Sequence, residues 1–128
     1  MKEVLGIDYG AKRIGLATAN TVIKLATPYG VWPNNEEFLR RLKNLCEQRN
    51  CATIVIGLPR GLEGQETPQT AKVREFATEV ERKLRLPVAL QDEAATTVVA
   101  HTHKKISKRG DVDSLAAALI LQDYLNNL

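Results

Sequence analysis

Three acidic residues that are far apart in the sequence each lie at the end of a predicted strand or helix. Asp8 ends an apolar, β-branched run, Glu93 follows a second short strand, and Asp113 opens the last predicted helix. Working sites of open α/β sheets lie beyond the carboxyl ends of the strands, so we expect these acids to converge. Clustered carboxylates repel unless cations neutralise them, and oxygen ligands favour Mg²⁺ or Mn²⁺. Two such ions ~3.5–4 Å apart would activate water for phosphodiester cleavage.

Structural roles compete with this interpretation at each position. An Asp at the start of a helix is most often a cap, which would account for Asp111 or Asp113. Asp92 is typical of a turn at a strand end, although it could also be an additional metal ligand. Asp8 is harder to explain structurally, because it interrupts an apolar strand just before the turn at Gly10.

The elements that would position these acids follow from the spacing of apolar residues. Two apolar runs joined by a short turn predict a β-hairpin, and Pro28 places the third strand at a sheet edge. Apolar residues at helical spacing alternate with short buried strands from there onward. The predicted elements are strands at 4–9, 14–19 and within 22–32, a helix from Asn34 or Asn35, a strand at 53–56, a helix at 73–84, a buried strand at 87–90, an ambiguous segment at 94–106 and a helix at 112–128. This order, βββαβαβαα, predicts an α/β sheet covered by helices.

Composition limits the class of protein. The chain has 128 residues, 44% of them hydrophobic, which predicts one globular domain. No apolar run approaches the ~20 residues that a membrane span needs. Two cysteines, Cys46 and Cys51, are poorly spaced for zinc and predict buried thiols in a reduced, cytoplasmic protein.

Basic residues near the predicted acid site are candidate contacts for a phosphate backbone. The formal net charge is only +3, so the charge alone identifies no partner. The candidates are Lys12 and Arg13 beside Asp8, Arg60 after the fourth strand, and the run Lys104, Lys105, Lys108 and Arg109. A solvated loop would equally explain that run. With only six aromatic residues in the chain, backbone or shape recognition is favoured over base stacking.

Four motifs, in order along almost the whole chain, resemble the YqgF (RuvX) family. This family is described as Holliday junction resolvases or pre-16S rRNA nucleases with an RNase H-like fold. The motifs are Gly6-Ile7-Asp8-Tyr9-Gly10, Val55-Ile56-Gly57-Leu58-Pro59, Asp92-Glu93 followed by Thr96-Thr97, and Val112-Asp113-Ser114-Leu115.

The resemblance implies a mixed five-stranded sheet led by a hairpin, with helices on both sides. It also implies that Asp8, Glu93 and Asp113 are the catalytic acids and bind the metal. Two positions depart from the family pattern. Ala94 stands where the family usually has Arg, and Ala19-Asn20 where it often has Ser-Asp. Neither departure removes a proposed ligand, but Ala94 removes a phosphate or structural contact.

We therefore predict a single-domain, cytoplasmic, Mg²⁺- or Mn²⁺-dependent endonuclease for precursor 16S rRNA or branched DNA, monomeric or weakly dimeric. One alternative is a nucleic-acid-binding protein that keeps the acids without turnover. Another is a nucleotide-binding module, since the hairpin motif also resembles the phosphate loop of actin-like ATPases. Those ATPases need a second lobe, which 128 residues do not supply.

Overall fold

The computed structural model describes residues 2–93 and 109–128. Its elements follow the predicted order as far as the described residues extend, and the ambiguous segment 94–106 lies outside them. The elements are β1 (Glu3–Asp8), β2 (Arg13–Asn20), β3 (Thr27–Pro33), α1 (Phe38–Arg49), β4 (Cys51–Leu58), α2 (Pro68–Leu84), β5 (Val88–Asp92) and α3 (Arg109–Asn126).

The five strands form one mixed sheet in the order β3-β2-β1-β4-β5. β2 is antiparallel to β1 and to β3, whereas β4 is parallel to β1 and to β5. The predicted hairpin and the edge position of β3 are confirmed. Because β1, β4 and β5 run in the same direction, their carboxyl ends, with Asp8 and Asp92, lie at one end of the sheet.

Alternation along the strands divides the core into two layers. Leu5 and Ile7 of β1 face α1 and α2, whereas Val4 faces α3 on the opposite side. The layer under α1 and α2 contains the larger side chains, including Phe38, and it also buries the free thiols of Cys46 and Cys51, as predicted. The sheet is thus covered on both faces, as the predicted fold requires.

The start of α1, the burial of β5 and the start of α3 differ from the sequence prediction. Helix α1 begins at Phe38 rather than near Asn34, because the Asn35 side chain instead accepts the Glu37 backbone N–H in a preceding turn. Strand β5 is half-buried rather than buried, since it forms the sheet edge, and Leu90 is 37% exposed. Helix α3 already includes Arg109, so Asp113 lies within the helix and is not its cap.

Candidate active site

Asp8 and Glu93 come together at the carboxyl end of the parallel strands. Asp8 is the last residue of β1, and its alternation places it on the α3 side of the sheet with Val4. Glu93 follows β5, where its backbone N–H donates to the Leu58 carbonyl at 3.1 Å. Both side chains are half-buried.

Two glycines allow the third acid and Glu93 to approach this end of the sheet. Gly15 of β2 pairs with Asp8, and a Cβ built on Gly15 would overlap the Asp113 carbonyl. The backbone of α3 therefore rests directly on β2, which brings Asp113 to the Asp8 side of the sheet. On β4, a Cβ on Gly57 would lie 2.6 Å from the Glu93 carboxyl carbon. Glycine inside a strand marks such a close approach.

The pKa values of two of these acids are raised, and Asp8 takes part in both shifts. Burial, followed by repulsion from Asp113, raises the pKa of Asp8 from 3.8 to about 7. Burial, followed by repulsion from Asp8, raises the pKa of Glu93 from 4.5 to about 8. Asp8 is thus the common electrostatic neighbour, and the site holds protons near neutral pH in the absence of a cation.

Arg13 is the cationic partner of the third acid. Its Nε donates to Asp113 Oδ2 at 3.2 Å, and both side chains are partly buried. We predicted Arg13 as a phosphate contact, but in the structure it holds a carboxylate of the site. A nucleic-acid contact through its remaining N–H groups stays a prediction.

Asp92 does not join the three acids. Neighbouring residues on a strand face opposite sides of the sheet, so Asp92 lies on the α2 side while Glu93 lies on the α3 side. Its carboxylate accepts from Arg60 Nε at 3.2 Å, and Arg60 also lies 3.7 Å from Glu66. The predicted metal role of Asp92 and phosphate role of Arg60 therefore compete with a salt-bridge network between them.

The remaining predicted contacts divide into two groups. Lys12 is exposed in the β1–β2 turn, four residues after Asp8. Lys104, Lys105 and Lys108 lie outside the described residues, and Arg109 is the first residue of α3.

A metal cage with three ligands is not already assembled. Among residues 2–93 and 109–128, no group of three His, Cys, Asp or Glu side chains is placed to hold one metal ion. The donor chemistry nevertheless suits a hard divalent cation, because Asp8, Glu93 and Asp113 offer only carboxylate oxygens. Two of these carboxylates are protonated near neutral pH without a cation, which a divalent ion would reverse.

Comparison with known proteins identifies the family. The model of the RuvX family, described as Holliday junction resolvase, matches residues 2–127. The chain belongs to the RuvX family. A relative of this RuvX chain from Orientia tsutsugamushi is 34% identical over 99% of the chain and 85% of its own length. Another from Maridesulfovibrio salexigens is 35% identical over 96% and 97%. Both carry the provisional name pre-16S rRNA nuclease.

Solved structures confirm the fold of this RuvX chain. Thermus thermophilus RuvC in complex with a Holliday junction substrate superposes with a TM-score of 0.61 at 14% identity, over 99% of the chain and 95% of RuvC. The fowlpox virus Holliday junction resolvase gives 0.58 at 12% identity, over 98% and 99%. These superpositions confirm the predicted RNase H-like fold, whereas the family model and the named relatives confirm the predicted family and nuclease class. In the described ranges, the RuvX chain has no helix long and apolar enough to cross a membrane.

Sequence reasoning missed the residues that seat α3 in this RuvX chain. Gly6 and Gly15 face α3, and a Cβ on Gly6 would lie 2.7 Å from Leu121 Cβ. The signal was present in the sequence, since small residues recur at every second position of β2, at Gly15, Ala17 and Ala19. That spacing indicates a sheet face on which a helix backbone rests closely.

Proposed function

We propose that this RuvX-family protein is a divalent-metal-dependent endonuclease that hydrolyses phosphodiester bonds in structured nucleic acid. Precursor 16S rRNA is the favoured candidate substrate. The observation that carries the proposal is the position of Asp8 between two other acids at the carboxyl end of the sheet. Burial, followed by repulsion from Asp113, raises the pKa of Asp8, and burial, followed by repulsion from Asp8, raises that of Glu93. A folded protein keeps such an arrangement at a cost in stability, which is typical of functional sites.

Asp8, Glu93 and Asp113 are the residues that would hold Mg²⁺ or Mn²⁺. When bound, the cation supplies Lewis acidity for the attack of water on phosphorus and offsets the charge of the leaving oxygen. Binding requires Asp8 and Glu93 to release their protons, since both have raised pKa values. It also requires Asp113 to share its carboxylate between the cation and Arg13.

Other residues of the chain would position the substrate. Lys12, exposed in the turn that follows Asp8, would bind a phosphate without reading a base. Arg13 would orient the Asp113 carboxylate through their ion pair. Arg60 orients the loop after β4 through Asp92 and Glu66, and would meet phosphate only by leaving one of them.

The names of the relatives favour RNA as the substrate. The two relatives above carry the provisional name pre-16S rRNA nuclease and align over almost the whole chain. The family description favours a second candidate, cleavage of a four-way DNA junction. We place both activities in the cytoplasm, because the free thiols Cys46 and Cys51 suit a reduced compartment.

The test measures cleavage of a precursor 16S rRNA segment and of a four-way DNA junction, with Mg²⁺, with Mn²⁺ and with EDTA. Asp8→Asn should abolish metal-dependent cleavage by at least about 100-fold, because an amide binds divalent cations poorly. Asp123→Asn is the matched control, since Asp123 is exposed near the other end of α3. Cleavage that survives in Asp8→Asn, or that persists in EDTA, would disprove the assignment.

A further inference from the structure

A cationic groove lies between the carboxyl ends of α1 and α2, away from the acids. We define it by the residues that line it: Lys43, Glu47, Arg82, Lys83, Leu84 and Arg85. Its volume is about 590 Å³, and four cations face one acid. This balance favours an anionic ligand.

The cations of the groove are not paired within the described residues. Arg13, Arg40, Arg49, Arg60 and Arg74 all form ion pairs with acids there. In residues 2–93 and 109–128, no ion pair joins any of the four groove cations to an acid, although all four are exposed. Their positive charge is therefore available to a ligand.

Arg85 has a backbone conformation that its side chain does not favour. It caps α2 in the left-handed region, with φ 57° and ψ 38°, where helices usually place glycine or asparagine. The carboxyl end of α1 has Asn50 in the same conformation. An arginine at such a position costs stability relative to glycine, so the charge of its side chain needs an explanation other than capping.

The electrostatics of the helix end explain only part of the groove. Cations in the last turn of a helix stabilise it, which accounts for Arg82 and Lys83 in α2. Lys43 lies in the middle of α1, and Arg85 lies beyond the last turn of α2. The groove therefore gathers more cations than helix stability requires.

Resting on the proposed nuclease function, we propose that this groove binds the phosphodiester backbone of a second segment of the substrate, remote from the cleaved bond. The groove lies near the start of β4, whereas the acids lie at the other end of the sheet. Eight residues of β4 span roughly 25 Å at ~3.3 Å per residue. A nucleic acid that reaches both places must extend at least that distance and place an arm over the α1 and α2 face.

The test measures binding of a precursor rRNA stem in the Asp8→Asn background, as a function of salt. Arg85→Gly should reduce the slope of log affinity against log salt by about 1, while the melting temperature stays equal or rises. Asn50→Gly is the matched control, because it makes the same backbone change without removing charge. It should leave the slope unchanged.

A combined variant tests the other three cations. Lys43→Gln with Arg82→Gln and Lys83→Gln should reduce the slope by about 3, whereas Arg40→Gln, which removes an ion-paired cation of α1, should not. The differences should be smaller on a stem of about 4 base pairs, because even at the ~3.4 Å per base pair of B-form DNA such a stem is shorter than roughly 25 Å and cannot reach both places.

Three results would overturn the proposal. The first is an Arg85→Gly slope equal to that of Asn50→Gly. The second is an affinity for the stem that falls only in the variants whose melting temperature also falls, since the loss would then come from unfolding. The third is a set of groove substitutions that weakens binding to phosphatidylserine vesicles but leaves binding to the stem unchanged. Failure of the nuclease function is seen separately, as cleavage by the Asp8→Asn protein; a stem that does not bind at all overturns both.

Discussion

Asp8→Asn should stabilise the metal-free protein, although the same change abolishes the proposed activity. The pKa of Asp8 is raised from 3.8 to about 7 by burial and by Asp113. Since the folded pKa lies above the unfolded one, the stability gained from the protonated form is complete below about pH 4. It is lost as the pH rises through 7, where the folded protein must hold a charged carboxylate.

The magnitude follows from the shift. A change from 3.8 to about 7 corresponds to about 4 kcal/mol at ~1.4 kcal/mol per pKa unit. Asp8 is half-buried, so water screens part of this energy and we expect about 2 to 4 kcal/mol. The neutral amide of Asn also relieves repulsion on Glu93, whose pKa should move down toward its ordinary value.

The assay is urea denaturation in EDTA at pH 4 and pH 8, followed by circular dichroism. At pH 8 Asp8→Asn should unfold at a higher urea concentration than the natural sequence, and at pH 4 the two should coincide. Added Mn²⁺ should reduce the difference, because the cation stabilises only the chain that binds it. The exposed control Asp123→Asn should change stability by less than about 0.5 kcal/mol at both pH values. If Asp8→Asn is no more stable than the natural sequence at pH 8, or gains as much stability at pH 4, the charge of Asp8 does not destabilise the folded protein.

Two further substitutions test the seating of α3 and α2. Gly15→Ala should lower the free energy of unfolding by about 1–3 kcal/mol and reduce cleavage, because its Cβ overlaps the Asp113 carbonyl. Gly30→Ala is the control and should be near neutral, since its Cβ meets nothing within 4 Å. Thermal melts of the two variants test this difference. Thr70→Val should cost about 1–3 kcal/mol, because it breaks the capping box of α2 and removes the hydroxyl that donates to the partly buried Pro59 carbonyl. Urea midpoints compared with those of the exposed Thr78→Val will show whether it does.

The sequence could predict residues whose signal is local. Asp8 stands out because an acid interrupts an apolar strand just before a turn, and that pattern is complete within a few residues. The boundary of α1 was wrong because Asn34 and Asn35 are equally good caps, and only the fold shows that Asn35 stabilises a separate turn. The burial of β5 was wrong for a similar reason, since Val88–Leu90 has the composition of a central strand and only the strand order places it at the edge.

The partner of a cation is the feature that the sequence could least predict. Arg13 lies beside Asp8 in the sequence, which favoured a phosphate contact, but its nearest acid is Asp113, a hundred residues later. The position of Asp92 has a similar explanation, because a shift of one residue along β5 moves a carboxylate from one face of the sheet to the other. Both ion pairs join residues of different elements, where spacing along the chain carries no information.

Charge is divided between the two ends of the sheet. At the acid end Arg13 pairs with Asp113, and Arg60 with Asp92 and Glu66, so these two arginines fix the geometry of the site more than they attract a polyanion. At the other end the cations of the groove carry no ion pairs within the described residues and gather around one acid. A net charge of +3 conceals this division. The two proposals then assign attraction and cleavage to different parts of the chain, so neutralising the groove should weaken binding of long substrates while cleavage of a short, saturating substrate stays unchanged.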